Sequence, residues 1–168
     1  MAYRLFGAIL IIISASVCGY LYSLHPQKRY KNLTMICACL EIFENEVGFS
    51  NDTICTIFKR IANLSHFSYL FQTAAEIDEE MSAAKRWKYA IEHDCEKMCL
   101  EKGDTEILKL LSCELGTTGK EGQIKSIRHI KTLLERQAIS AEEECTKNIK
   151  MYRGLGVAGG IFVAILLF

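Results

Sequence analysis

The run QIKSIRHIKTLLERQAISAEEECTKNIKMY, from Gln123 to Tyr152, decides the fold. Ile124, Ile127, Leu134, Ala138, Ala141, Cys145 and Ile149 recur at spacings of three and four, with one longer step. That is the signature of a single apolar face on an α-helix. No proline interrupts the run, and Gly154 is the first glycine after it. The helix is therefore expected to continue into the uncharged segment Leu155–Phe168. About 30 residues of helix span roughly 45 Å.

Upstream, the same periodicity repeats without a convincing alternating strand pattern. Residues from about Lys28 to Phe49 place Leu33, Ile36, Leu40, Phe43 and Val47 on one face. Ser50, Asn51 and Asp52 break that helix and are good N-cap types. Ile54, Ile57, Phe58, Ile61 and Leu64 form a second stripe, and Leu70, Phe71, Ala74 and Ile77 a third. A fourth helix carries Ala84, Trp87, Ile91 and Met98, with Trp87 as a core anchor. Gly103 and Asp104 are expected to end it and cap a fifth, whose face is Ile107, Leu108, Leu111 and Leu115. Gly116, Gly119 and Gly122 then mark a turn before the long helix that starts near Gln123. The pattern predicts an all-α, antiparallel helical bundle.

The first membrane candidate is Leu5–Leu24, 20 residues without a charge. As a helix it covers the roughly 30 Å hydrocarbon core of a bilayer. A cleaved signal peptide is the alternative, and a lipoprotein version would use Cys18 after Ala15-Ser16-Val17. Val17 fits that cleavage rule poorly, and the apolar run continues past Cys18 through Tyr22, which favours an uncleaved anchor. Leu155–Phe168 covers only about 21 Å by itself, but Met151 and Tyr152 extend it and Arg153 can snorkel. A buried helix is the alternative there, yet the segment has no polar face. Lys28, Arg29 and Lys31 follow the first segment, and Lys147, Lys150 and Arg153 precede the second. Both flanks predict a cytoplasmic domain with both termini outside. The expected division is a transmembrane helix at 1–25, a cytoplasmic bundle at 26–153 and a second transmembrane helix at 154–168.

Lys and Arg number 20, as do Asp and Glu, and all but Arg4 lie between Gln27 and Arg153. That balance argues against a nucleic-acid binder, which carries a basic excess. Eight cysteines would suggest disulfides in a secreted domain, but the cytoplasmic placement keeps them reduced.

Catalytic signals are sparse. Gly116-Thr117-Thr118-Gly119-Lys120 has too few residues between its glycines for a phosphate loop, and it follows a helix rather than a strand. Cys95 and Cys99 are four apart and could share a helical face, but His93 and Asp94 point elsewhere and nothing completes a four-ligand zinc set. Buried cysteines acting as small apolar fillers are the plainer reading, for Cys37 and Cys39 as well. His25, His66 and His129 lack partners, and the Glu76, Asp78, Glu79, Glu80 cluster reads as a solvated face. The residues point to a non-enzymatic assembly part, with no catalytic, cofactor or metal residue assigned. A membrane-tethered metal or thiol protein using Cys95 and Cys99, and a generic bitopic adaptor, are the other readings.

Three stretches carry a family resemblance. The first is Leu40-x-x-x-Glu44-x-Glu46-Val47-x-Phe49, followed by Lys59-Arg60-Ile61-Ala62. The second is Leu70-Phe71 with Trp87 further on. The third runs from Leu108 through Leu115-Gly116, Gln123, Ile127 and Leu133-Leu134-Glu135 to the Ala-Glu-rich run before the last segment. In order and spacing over essentially the whole chain, they resemble the stage III sporulation protein AB family. That family usually has Thr-Pro where this chain has Asp52-Thr53, so Asp52 or Thr53 must cap the next helix.

The resemblance implies a component of the multiprotein complex in the mother-cell membrane around the forespore. That complex forms a secretion-like channel between the two cells. It also implies a bundle similar to the platform domain of type II secretion. Implied partners are other stage III sporulation A-operon proteins, including a cytoplasmic ATPase, with membrane lipid around the anchors. For such a platform, Lys85, Arg86, Lys88, Glu142, Glu143 and Glu144 are the expected docking residues, and Trp87, Gly116 and Gln123 the structural ones.

Overall fold

A computed structural model describes the backbone of residues 2–64, 69–77 and 80–167, and the side chains of residues 25–64, 69–77, 80–148 and 151. Six helices follow one another: α1 Ala2–Phe49, α2 Ile54–Leu64, α3 Tyr69–Glu76, α4 Ala83–Asp94, α5 Lys102–Glu114 and α6 Lys120–Leu167. No strand occurs among the described residues. The all-helical class is as expected.

Each helix packs on the next in sequence, and α6 returns to pack along α1. Ion pairs give the direction of that closure. Glu44 accepts from Arg128 Nη2 at 2.6 Å, Glu41 from Lys131 Nζ at 2.9 Å, and Glu144 faces Arg29 at 3.4 Å. As positions rise in α1 they fall in α6, so the two 48-residue helices are antiparallel in one constant register. Arg29 stands beside Glu144 at one end of the bundle, where α1 before residue 29 and α6 after residue 144 depart. Both apolar segments thus leave the bundle at one end. Their side chains lie outside the described residues. Among the described residues no helix is long and apolar enough to cross a membrane.

The core follows the predicted stripes. Leu33, Ile36, Leu40, Phe43 and Val47 of α1 are buried against Ile127, Ile130, Leu134, Ala138 and Ala141 of α6. At one side Phe43, Phe58, Phe71 and Trp87, from four helices, form an aromatic cluster with ring centroids 5.1–5.8 Å apart. Trp87 also donates Nε1–H to the Leu108 carbonyl at 2.9 Å, tying α4 to α5. Its polar atom is satisfied while its ring is fully buried.

Three local expectations change, and the choice of cap for α2 is settled. α1 does not begin after Pro26; it runs through it. Proline costs a helix interior about 3 kcal/mol, and here the helix on its C-terminal side is held along α6. Residues 25 and 153 both lie inside continuous helices, and at 153 the helix continues as expected. The residue that caps α2 is Thr53, whose Oγ1 accepts from Thr56 N at 3.3 Å, because the Asp52 carboxylate is engaged by Arg60. Leu64 is exposed at the end of α2 instead of completing its stripe. Finally, α4 ends at Asp94, well before Gly103, and the chain reverses at Cys99 with φ +56°. Gly103 and Asp104 lie inside the first turn of α5, and Met98 is buried from the turn.

Replacing Trp87 by Ala removes the ring shared by α2, α3 and α4, and is expected to cost about 3–5 kcal/mol in urea unfolding followed by circular dichroism. Burial pushes the Cys37 thiol up to about 11. The folded state then holds this proton more tightly than the unfolded state does. Its contribution is full below about pH 9 and lost as pH rises towards 11. The drop in unfolding midpoint from pH 8.5 to 10.5 should therefore be smaller in Cys37→Ala than in the parent.

Candidate functional site

The most concentrated polar chemistry sits at the base of the bundle, around a buried arginine. Arg29 lies four residues before Leu33, so the helical period that buries Leu33 turns Arg29 inward as well. Its Nε donates to Asp104 Oδ2 at 2.8 Å and its Nη2 to Asp104 Oδ1 at 3.0 Å, a two-point pair. Nη2 also reaches Gln137 Oε1 at 3.3 Å. Nη1 faces Glu101 at 3.2 Å and Glu144 at 3.4 Å. Asp104 is completely buried, and its Oδ2 further accepts the Glu101 backbone N–H at 2.9 Å, holding the first turn of α5. One guanidinium thus joins α1, α5 and α6. The Asp104 hydrogen bond, outweighing desolvation, raises the Arg29 pKa above its ordinary value, so it stays charged at any working pH.

Two ions this deep attract each other strongly but lose hydration, and removing one partner strands the other. Arg29→Ala and Asp104→Ala are each expected to cost about 3–5 kcal/mol, while the double change Arg29→Met with Asp104→Leu recovers much of that loss. Glu144→Gln, at a half-exposed position, should cost under about 1 kcal/mol. Urea denaturation of the four variants checks the ordering.

The expected docking residues separate. Lys85 and Lys88 are exposed on α4. Glu142 and Glu143 are exposed on α6, and so is Glu144, which is in addition an outer member of the Arg29 cluster. Arg86 is a correction: it is 2 % exposed, with Nε donating to the Met81 carbonyl at 3.0 Å. It stands four residues before Ala90 on the core side of α4, so it cannot present its guanidinium to a partner as it stands.

Gly116 lies in the turn before α6, and Gln123 in the first turn of α6 itself. Gly116 has φ +78°, a conformation that side-chain-bearing residues rarely adopt. Gln123 Nε2 donates to the Thr118 carbonyl at 2.9 Å, and its backbone N–H to Gly119 O at 3.0 Å. Both line an open groove of about 480 Å³ at the tip, with Val47, Ile54, Ile57 and Ala83. Phe49, beside it in sequence, is 92 % exposed.

The thiol and metal candidate loses its geometry. Since α4 ends at Asp94, Cys95 and Cys99 lie in a turn and do not share a helical face. Cys95 Sγ donates to Glu92 O at 3.6 Å. Asp94 is 1 % exposed; burial raises its pKa, but bonds from Thr73, His93 and Lys97 outweigh this and hold it below the usual range. Among the described residues no group of three or more His, Cys, Asp or Glu side chains is arranged to hold a metal ion. Cys18, His66, Asp78 and Glu79 lie outside the described side chains.

Sequence reasoning missed Arg29, Asp104 and Gln137 as a unit. The available signal was phase: Arg29 before Leu33, Asp104 before Leu108 and Gln137 after Leu134 all continue an apolar stripe.

Fold and site together define a class: a helical bundle closed by its first and last helices, with an ionic clamp near the end from which both apolar segments depart. The family model described as stage III sporulation protein AB matches residues 4–168. The stage III sporulation protein AB of Bacillus subtilis (strain 168) is 26 % identical over 98 % of each chain. A solved structure of stage III sporulation protein AB aligns with TM-score 0.65 at 24 % identity, covering 71 % of this chain and 97 % of that one. This chain belongs to the stage III sporulation protein AB family.

Proposed function

We propose that the chain is a non-catalytic membrane scaffold of the sporulation complex that links mother cell and forespore. Helices 1–25 and 154–168 would cross the mother-cell membrane, with the bundle cytoplasmic and both termini outside. The bundle would act as a platform for a cytoplasmic ATPase and for other membrane proteins encoded with it.

The observation that carries this reading is the α1–α6 register. Two apolar runs far apart in sequence depart from one end of the bundle, which suits two legs in one bilayer. The continuous helical backbone of α6 through residues 151–154 supports it, since the short last run gains helical length on its bundle side. Arg29 is taken up by carboxylates, so the exposed Lys28, Lys31 and Lys147 carry the basic flank among the described side chains. The exposed Lys85 and Lys88 on one face, and Glu142 and Glu143 on another, offer oppositely charged sites for two partners.

Affinity capture with crosslinking from membranes of sporulating cells tests the reading. The chain should bring down an ATPase and further membrane proteins, with crosslinks on α4 or on α6 near Glu142. Recovery of the chain alone, together with full spore formation in a deletion strain, would sink it. A reporter fused after Phe168 should be found outside; a cytoplasmic reporter overturns the second crossing.

A further inference from the structure

The two long helices leave the bundle differently. The chain's single proline is Pro26, inside α1, and α6 has none. Pro26 has no N–H to offer the carbonyl of residue 22, and its ring crowds that carbonyl, so bending of α1 concentrates there. Three residues further on, Arg29 is bolted to Asp104 of α5 and to Gln137 and Glu144 of α6. The clamp therefore fixes the bundle side of the proline within one helical turn of it. None of these bonds holds the arm before Pro26. The helical backbone of α6 meanwhile continues from the clamp through residue 167.

We infer that Pro26 is a hinge and Arg29 its fixed mount, so that the α1 arm tilts against the bundle while α6, with neither proline nor glycine between the clamp and Tyr152, carries the bundle's orientation stiffly over that stretch. The legs then have unequal roles: one swivels and one transmits. This deepens the two-legged reading above, but the hinge is a property of the chain and is measurable apart from it.

Spin labels on a ketone-bearing phenylalanine analogue avoid the eight cysteines and fit the existing rings at Phe6 and Tyr152. Each would be paired with a label at the exposed Lys85 in the full-length chain, in lipid nanodiscs and in detergent micelles. From Phe6 to Pro26 is about 30 Å of helix, so a 20° swing moves the Phe6 end by about 10 Å. The Phe6–Lys85 distance distribution should be spread by about that amount, and the Tyr152–Lys85 distribution should be narrow. Pro26→Ala should narrow the Phe6 distribution to match, and an unchanged width would overturn the hinge. In that Pro26→Ala background, Arg29→Gln should restore the spread by releasing the mount; a width that stays narrow in a chain still folded by thermal melt would overturn the mount. If Arg29→Gln does not fold, Glu101→Gln with Glu144→Gln leaves the Asp104 pair intact and is judged by the same criterion at smaller amplitude. A chain that hinges in micelles but fails to enter nanodiscs would count against the membrane reading alone.

Discussion

The antiparallel pairing of α1 with α6 is the constraint on which the rest depends. It aligns Glu44 with Arg128, Glu41 with Lys131 and Arg29 with Glu144, and it buries the apolar faces of both helices. The four short helices between them form a chain of neighbours, each packed on the next. Left to themselves they would make an open strip. The pairing closes that strip into a bundle and gives Phe43 a place in the aromatic cluster with Phe58, Phe71 and Trp87. It also decides that two apolar runs at opposite ends of the sequence share one end of the structure.

Much of this was legible because a helical stripe is a local signal. Leu33 to Val47, Ile57 to Ile61, Leu70 to Ala74 and Ile127 to Ala141 were readable as core from spacing alone, and each is buried. What stayed hidden depends on partners far along the chain. Arg29 looked like one more positive charge beside an apolar run; its burial follows from Asp104, 75 residues away. Arg86 looked like half of a basic surface pair because its neighbours Lys85 and Lys88 are solvated, yet one step of 100° around the helix puts it inside. Cys95 and Cys99 seemed to share a face only while the helix was assumed to continue past Asp94. In each case residue type was read in place of phase, and phase was the better guide.

The bundle has two chemically different ends. The base is ionic and saturated: every donor direction of Arg29 meets an oxygen, and Asp104 is occupied at both oxygens. The tip is open, with a groove between the α1–α2 turn and the start of α6, and Phe49 standing in solvent. Membership of the stage III sporulation protein AB family says which process the chain serves. A saturated end resists deformation and suits an attachment, whereas an open end keeps its surface available.

The register has a consequence for biosynthesis. Glu41 and Lys131 stand opposite each other but are 90 residues apart in sequence. At a synthesis rate of about 5–20 residues per second, the α1 face waits roughly 5–20 s for its partner after leaving the ribosome. During that interval Arg29 waits for Asp104, 75 residues on, and the stripe from Leu33 to Val47 has only the early helices for cover. The last part of the bundle to be made is therefore the part that completes the first. A ribosome that stalls before α6 leaves behind a chain whose first helix has an uncovered apolar face and an arginine that has Asp104 but not Gln137 or Glu144.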